Sequence, residues 1–242
     1  MLNNVPQISR RRIGAVVIID LRGELIGPWA LRAKESIQTL IANCGSENIL
    51  INLKDLSTVD SLGVKAVIDN FPKNTRGGIV SGKLSVMEMF SRLMKSDNVK
   101  IFNNEEDVVS YFALDFVKDN KVSPVIELRK TPRLKTALPL EFWFEDKSGD
   151  KVTFKAIITD LSEGGLFAEY LDVESLEDFN RCFELAELKH LNMKIKLPQI
   201  DYIYVEGKVA RTVIAGEQVG IGVEFLNLQD NDKENIRIFL QN

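Results

Sequence analysis

In the strand-like segments from Ala137 onward in this 242-residue chain, apolar residues recur at every second position, whereas before residue 113 they alternate between short solid runs and a helical period. A period of two is the mark of a half-buried strand, and a period near 3.6 that of an amphipathic helix. One chain carrying both in succession has to build two differently organised cores. In the first half, "IGAVVIIDL" (13–21), "NILINL" (48–53), "GGIVSG" (77–82) and "VKIF" (99–102) read as buried strands. They are separated by helical segments at 27–45, 61–71, 84–95 and 104–112. In the first of these helices Trp29, Ala33, Ile37, Leu40 and Ile41 share one face. In the last, Asn104 is placed to cap, and Glu105, Glu106 and Asp107 suit the positive end of the helix dipole. Strands alternating with helices predict an α/β domain.

In the second half, "LPLEFWFE" (138–145), "KVTFKAIITDLS" (151–162), "GLFAEYL" (165–171), "LNMKIKLP" (191–198), "IYVEGKVARTVI" (203–214) and "VGIGVEFL" (219–226) predict six strands of a small antiparallel barrel. A helix is expected over 174–190 and a last one over 230–241, the latter covering an end of the barrel. The expected boundaries are 1–113 for the α/β domain, 114–127 for a linker containing Ser123-Pro124, and 128–242 for the barrel.

Charge narrows the partners. The net charge of −4 argues against a large sequence-independent nucleic-acid surface. The second half is acidic overall, yet Arg129, Lys130, Arg133 and Lys135 fall within seven residues of it. Pro132 keeps that segment out of a helix interior, and two planar guanidinium forks suit phosphates and the edge of guanine better than lysines do. A second cluster, Asp160, Ser162 and Gly165 in "TDLSEGG", stands at the end of a strand. A carboxylate there can accept the paired N–H donors of a guanine edge, a hydroxyl can donate or accept, and glycine lets backbone approach a ligand. Arg211 follows alternating strand residues and reads first as part of a solvated strand face, with a place facing a ligand pocket as the alternative, and Phe142, Trp143 and Phe144 read as barrel residues. His190, the only histidine, has no partner cluster for a metal, and no catalytic set stands out, so no enzyme activity and no cofactor are expected. Cys44 and Cys182 form no disulfide framework, and the apolar run at 13–21 is too short for a membrane span, so a cytoplasmic protein is expected.

Two resemblances follow from these motifs. "NLKDLSTVDSLGVKAV" (52–67), with the element order around it, resembles the STAS domain, the anti-sigma-factor-antagonist fold. That family carries Asp-Ser-(Ser/Thr)-Gly, and its regulatory members are phosphorylated on the third residue. Here the tetrad is Asp60-Ser61-Leu62-Gly63, so the acceptor position holds no hydroxyl, and Ser61 is the remaining candidate phosphoacceptor, or else a helix N-cap. Arg-x-x-x-Arg at 129–133, followed by Asp160, Ser162 and Gly165, resembles the PilZ domain of bacterial signalling proteins, which implies binding of cyclic di-GMP. The resemblance assigns Arg129 and Arg133 to phosphates and the guanine edge, Asp160 and Ser162 to polar contacts, and Gly165 to closing the site. Leu128 matches a position that packs on the ligand, and Lys130 is a neighbouring candidate. Together they imply an adaptor that reads cyclic di-GMP and relays it to a regulatory protein docked on the first domain. A phosphorylation-controlled anti-sigma-factor antagonist is the alternative, and a second copy of the chain is a further candidate partner.

Overall fold

The computed structural model describes residues 5–43, 48–94, 97–117, 133–145, 149–170, 190–198, 200, 202–215 and 218–241. The chain divides into two compact units between Asp115 and Phe116. The helix expected over 174–190 lies outside the described residues, as do Leu128, Arg129, Lys130 and residues 118–127.

The first unit is a six-stranded sheet with helices on both faces, the α/β class its periodicity predicts. Strands β1 (Gln7–Ile13), β2 (Val16–Leu25), β3 (Asn48–Asn52), β5 (Arg76–Val80) and β6 (Val99–Phe102) lie in that order, and β4 (Leu56–Val59) pairs with the far end of β2. Only the β1–β2 pair is antiparallel. Val17, Ile19, Leu21, Ile49, Ile51 and Ile79 form a core with α1 (Gly27–Ala42), α2 (Ser61–Ile68) and α3 (Leu84–Leu93). Helix α4 (Glu105–Val117) covers the other face, where Phe112 meets Gly78 beside Leu50 and Phe102. It starts as expected, with the Asp107 N–H donating to the Asn104 side chain at 2.9 Å. It also continues five residues past Phe112, so 114–117 are helical.

β1 was not legible from its sequence, and its chemistry explains why. "SRRRI" reads as a basic flank, yet Arg11 is buried because it stands in the strand beside β2, near Asp20. Its Nε and Nη2 donate to the Asp20 carboxylate at 2.7 and 3.0 Å, and Asn52 Nδ2 donates to the same carboxylate at 2.8 Å. A charge pair is retained in an interior only when its remaining hydrogen-bonding capacity is also met. Asn52, in register with Asp20 across the parallel ladder, supplies that.

The second unit is a closed antiparallel barrel of six strands with a terminal helix, as expected. The strands are β7 (Leu134–Glu145), β8 (Lys151–Ser162), β9 (Gly165–Tyr170), β10 (His190–Lys196), β11 (Tyr202–Ala215) and β12 (Gln218–Leu226), in the circular order β10-β11-β12-β9-β8-β7. Leu138, Leu140, Phe142, Ile158, Leu161, Leu166, Ala168, Met193, Ile195, Val205, Ile221 and Val223 fill its interior. Phe142 is thus core, and its ring stacks on Phe154 at 5.3 Å between centroids. Helix α5 (Asp230–Gln241) adds Ile236 to that core, with Phe239 and Leu240 alongside.

Removing one member of the buried pair in the first unit strands its partner's charge. Asp20→Ala is expected to cost about 3 kcal/mol of folding free energy, read by urea unfolding, while Leu114→Ala on the exposed side of α4 should leave stability within about 0.5 kcal/mol.

Candidate functional site

The strand registers show how the barrel places its polar motif. In β8, Ile158 points into the core, so simple alternation would also point Asp160 inward. It does not, because β8 holds one more residue than β9 between the pairs Ile158–Ala168 and Asp160–Phe167. Thr159 is the extra residue of a bulge, after which Leu161 faces the core while Asp160 and Ser162 face out. β11 repeats the device. Val209 pairs with Val223 and Arg211 with Gly222, leaving Ala210 as the extra residue and turning Arg211 outward. β7 has its own irregularity at the same level, between Lys135 and Leu138. Three irregularities, in β7, β8 and β11, therefore bring one row together across five strands: Lys135, Asp160, Phe167, Gly222 and Arg211.

Along that row the side chains pair. Lys135 Nζ donates to the Asp160 carboxylate at 3.1 Å. Asp160 is largely covered, at 14% side-chain exposure, while Lys135 is half exposed at 51%. Arg211 lies with its guanidinium carbon over the Phe167 ring, 5.0 Å from the centroid. Its stem crosses Gly222, where a β-carbon would come within 2.9 Å of the Arg211 Cγ. Beyond the row, Ser162 donates to the Gly165 carbonyl at 3.0 Å, closing the turn between β8 and β9. Gly165 has a steric reason to be glycine, since a β-carbon there would stand 2.2 Å from the Val223 carbonyl oxygen of β12.

A cleft of about 430 Å³ opens beside this row, lined by Arg133, Ser162, Gly165, Arg211, Gly222 and Glu224 among others. Of the residues singled out in the sequence, Arg133, Ser162 and Gly165 are brought together on its walls, and Asp160 lies on the adjoining stretch. Arg129, Leu128 and Lys130 lie outside the described residues. Arg211 is exposed, as expected, and it also lines the cleft, the alternative its strand position left open; Lys135 was visible only as a member of the basic cluster, and Phe167 and Gly222 are what sequence reasoning missed. No hydrophobic period reveals these residues, because bulges break the period at the places that matter. His190 is exposed at the start of β10, and no metal-binding group of His, Cys, Asp or Glu occurs among the described residues.

In the first unit, the helix cap is Asp60, which corrects the expectation that Ser61 serves as one. The Asp60 carboxylate accepts from the Gly63 N–H at 2.8 Å and from the Gly27 N–H at 2.8 Å, tying the starts of α2 and α1 together. Ser61 is the first residue of α2, exposed, followed by Leu62 at 47% exposure. Partial burial works to raise the Asp60 carboxyl, but the backbone N–H groups of Gly27, Gly63 and Leu62 outweigh it and hold the group below its ordinary value of 3.8.

A cleft bordered by Arg133 and Arg211 on the outer wall of a closed barrel, and an α/β unit with Asp60 capping α2, make two differently built domains. Family models agree, since the STAS domain matches residues 7–108 and the PilZ domain residues 127–242. The chain joins an N-terminal STAS domain to a C-terminal PilZ domain, both of them binding or regulatory classes. Among solved structures it is similar to the inhibitor of motility MotI/DgrA from Bacillus subtilis, with 16% identity and a TM-score of 0.36 over 48% of this chain and 51% of that one. It is similar to the PilZ domain with c-di-GMP of YcgR from Escherichia coli, with 19% identity and a TM-score of 0.34 over 48% and 91%. An anti-sigma factor antagonist from Mycobacterium paratuberculosis matches with 16% identity and a TM-score of 0.38 over 45% and 95%. The chain thus spans about half the length of the Bacillus protein, and scores this low carry no argument about its chemistry. No curated protein matches the sequence. Among the described residues, no helix is long and apolar enough to cross a membrane.

Because the folded-state pKa of Asp60 is depressed, its contribution is fully present above the ordinary value and is lost as pH falls through the folded one. Asp60→Ala should lose about 1 kcal/mol at pH 7, with the difference from wild type shrinking as pH drops below 3.8. Urea unfolding at pH 7 and pH 3 reads both values.

Proposed function

We propose that the barrel binds cyclic di-GMP on its outer wall and that the STAS domain passes the bound state to a regulatory protein partner in the cytoplasm. The observation that carries this is the shared cleft, in which Arg133 stands with the Ser162–Gly165 turn while Asp160 lies one step along the wall. Each group has a matching part of a doubly charged guanine dinucleotide. Arg133 and Arg129 present planar forks to phosphates and to guanine O6/N7. Asp160 accepts from the N–H donors of the base, Ser162 adds a hydroxyl, and the missing side chain at Gly165 keeps the turn low. Leu128 and Lys130 flank the first fork. The chain acts as a receptor without catalysis and without a metal or cofactor.

Relay requires that the ligand bind two arrangements of the chain with unequal affinity, because a ligand indifferent to the arrangement shifts nothing. The arginine segment is continuous in sequence with residues 118–127, which follow α4, so gripping the ligand with Arg129 and Arg133 constrains that stretch. A second copy of the chain is one partner the STAS domain can present itself to.

The second reading, a phosphorylation-controlled anti-sigma-factor antagonist, has in its favour that Ser61 is exposed on the first turn of α2. Against it, a phosphoryl group there would stand next to the ionised Asp60 carboxylate, which already occupies the Gly63 N–H, and like charges repel. Absence of modification at Ser61 after incubation with candidate serine kinases, by mass spectrometry, removes this reading.

Calorimetric titration with cyclic di-GMP, with GTP and cyclic AMP as controls, tests the first. Wild type is expected to bind cyclic di-GMP selectively. Arg129→Ala and Arg133→Ala should each lose charged hydrogen bonds of about 1.5–3 kcal/mol, a loss of roughly tenfold or more in affinity. Unchanged binding in both variants, or no binding by wild type, overturns the assignment.

A further inference from the structure

Strand β1 and helix α1 leave a groove at the edge of the first unit's sheet. β1 ends the strand order, and among the described residues only β2 pairs with it. An end strand presents a row of backbone N–H and C=O groups to which another extended chain can add. Beside it lies a cleft of about 620 Å³ with Pro6, Ile8, Trp29, Ala33 and Leu40 as its apolar lining. The face of α1 explains the hollow. Ala33, Ile37 and Ile41 are buried, while Trp29 and Leu40, at the margin of the same face, stay partly exposed with only the short Ala33 side chain between them. Ser36 and Thr39 turn their hydroxyls back onto the carbonyls of Arg32 and Glu35, at 3.2 and 2.9 Å, and so line the rim without reaching across.

Charge along the groove is uneven. Alternation puts Ile8, Arg10 and Arg12 on one face of β1 and Arg11 on the other, where it meets Asp20. Arg10 Nη1 donates to the Asn43 carbonyl at the end of α1 at 3.5 Å, which places that face on the α1 side. The apolar hollow is thus flanked by Arg10 and Arg12 toward one end and by Arg32, 5.0 Å over the Trp29 ring, toward the other. Glu35 is the single acidic residue of the lining among the described residues.

We infer that the groove between β1 and α1 is a docking site for an extended acidic segment of a protein partner. The segment adds as a strand to β1, sets an apolar side chain in the hollow and lays carboxylates against Arg10 and Arg12. Main-chain pairing supplies affinity in such an arrangement, and the pocket supplies the choice of side chain. A second copy of the chain is the poorer occupant. Pairing β1 with β1 brings two arginine triplets together, and like charges facing across a ladder destabilise it. The inference deepens the proposed relay and rests on it only for the partner's role. Docking is measured without cyclic di-GMP, so failure of the dinucleotide reading leaves the result standing.

Fluorescence-anisotropy titration of the full chain with a panel of labelled synthetic peptides as long as β1, each alternating glutamate with valine, leucine or phenylalanine, tests the site. At least one member is expected to bind. Arg10→Glu should weaken that binding roughly tenfold. Ser36→Trp, which fills the hollow from an exposed helix position, should abolish it. A control peptide with proline at the apolar positions keeps the charge but cannot complete the ladder, and is expected not to bind. Circular dichroism checks that both variants are folded. No binding by any panel member, equal binding by the proline control, or wild-type affinity in either variant overturns the docking site. A dimer in light scattering that Ser36→Trp abolishes assigns the groove to a second copy and overturns the acidic partner.

Discussion

Barrel closure is the constraint on which the candidate site depends. A closed six-stranded sheet has no free edge along which a strand can slip, so every register is held from both sides. Within that frame an inserted residue cannot be absorbed by sliding, and it reverses which side chains face out from that point on. The bulges at Thr159 and Ala210 do this to β8 and β11 at the same level. They convert what alternation would make two interior polar residues, Asp160 and Arg211, into neighbours on the outer wall. The core side is kept intact, since Leu161 and Leu166 resume the apolar lining directly after the Thr159 bulge. A polar cleft and an apolar barrel interior are thus made by the same strands.

The two domains were legible in the sequence because each has one dominant period, and the helix starts and strand spans follow closely from it. Asn104 capping α4, the solid apolar strands β2 and β3, and the alternating β7 and β8 are the clearest cases. Legibility failed where a residue's environment is set by something far along the chain. Arg11 reads as solvated until Asp20 and Asn52 are seen beside it. Ser61 reads as a cap until the carboxylate one residue earlier is seen holding two helix starts. Arg211 reads as an exposed strand residue because its partner, Phe167, lies 44 positions away on a strand that is not even its direct neighbour. In the candidate site the motif residues were visible as residue types, while the wall opposite them was encoded only in registers.

The two domains treat charge differently. In the STAS domain two charged side chains near the helix starts hold backbone partners: Asp60 accepts from backbone donors, and Lys83 Nζ donates to the Leu56 carbonyl at 2.8 Å. Leu62 and Leu84 are exposed beside them, so that end of the domain offers apolar side chains over a satisfied backbone. In the PilZ domain the cleft is bordered by cations held through soft contacts, Lys135 by a half-exposed ion pair and Arg211 by an aromatic ring. Contacts of that kind contribute little to stability.

Chemical-shift mapping during titration of the isotopically labelled full chain with cyclic di-GMP addresses the central claim most directly. The account predicts that backbone signals of Arg133, Ser162, Gly165, Arg211 and Gly222 shift together and saturate with one profile, while the buried strand signals of Ile19 and Ile51 stay in place. Shifts centred on Asp60 and Ser61 with the barrel wall unmoved, or none in either domain, would contradict it.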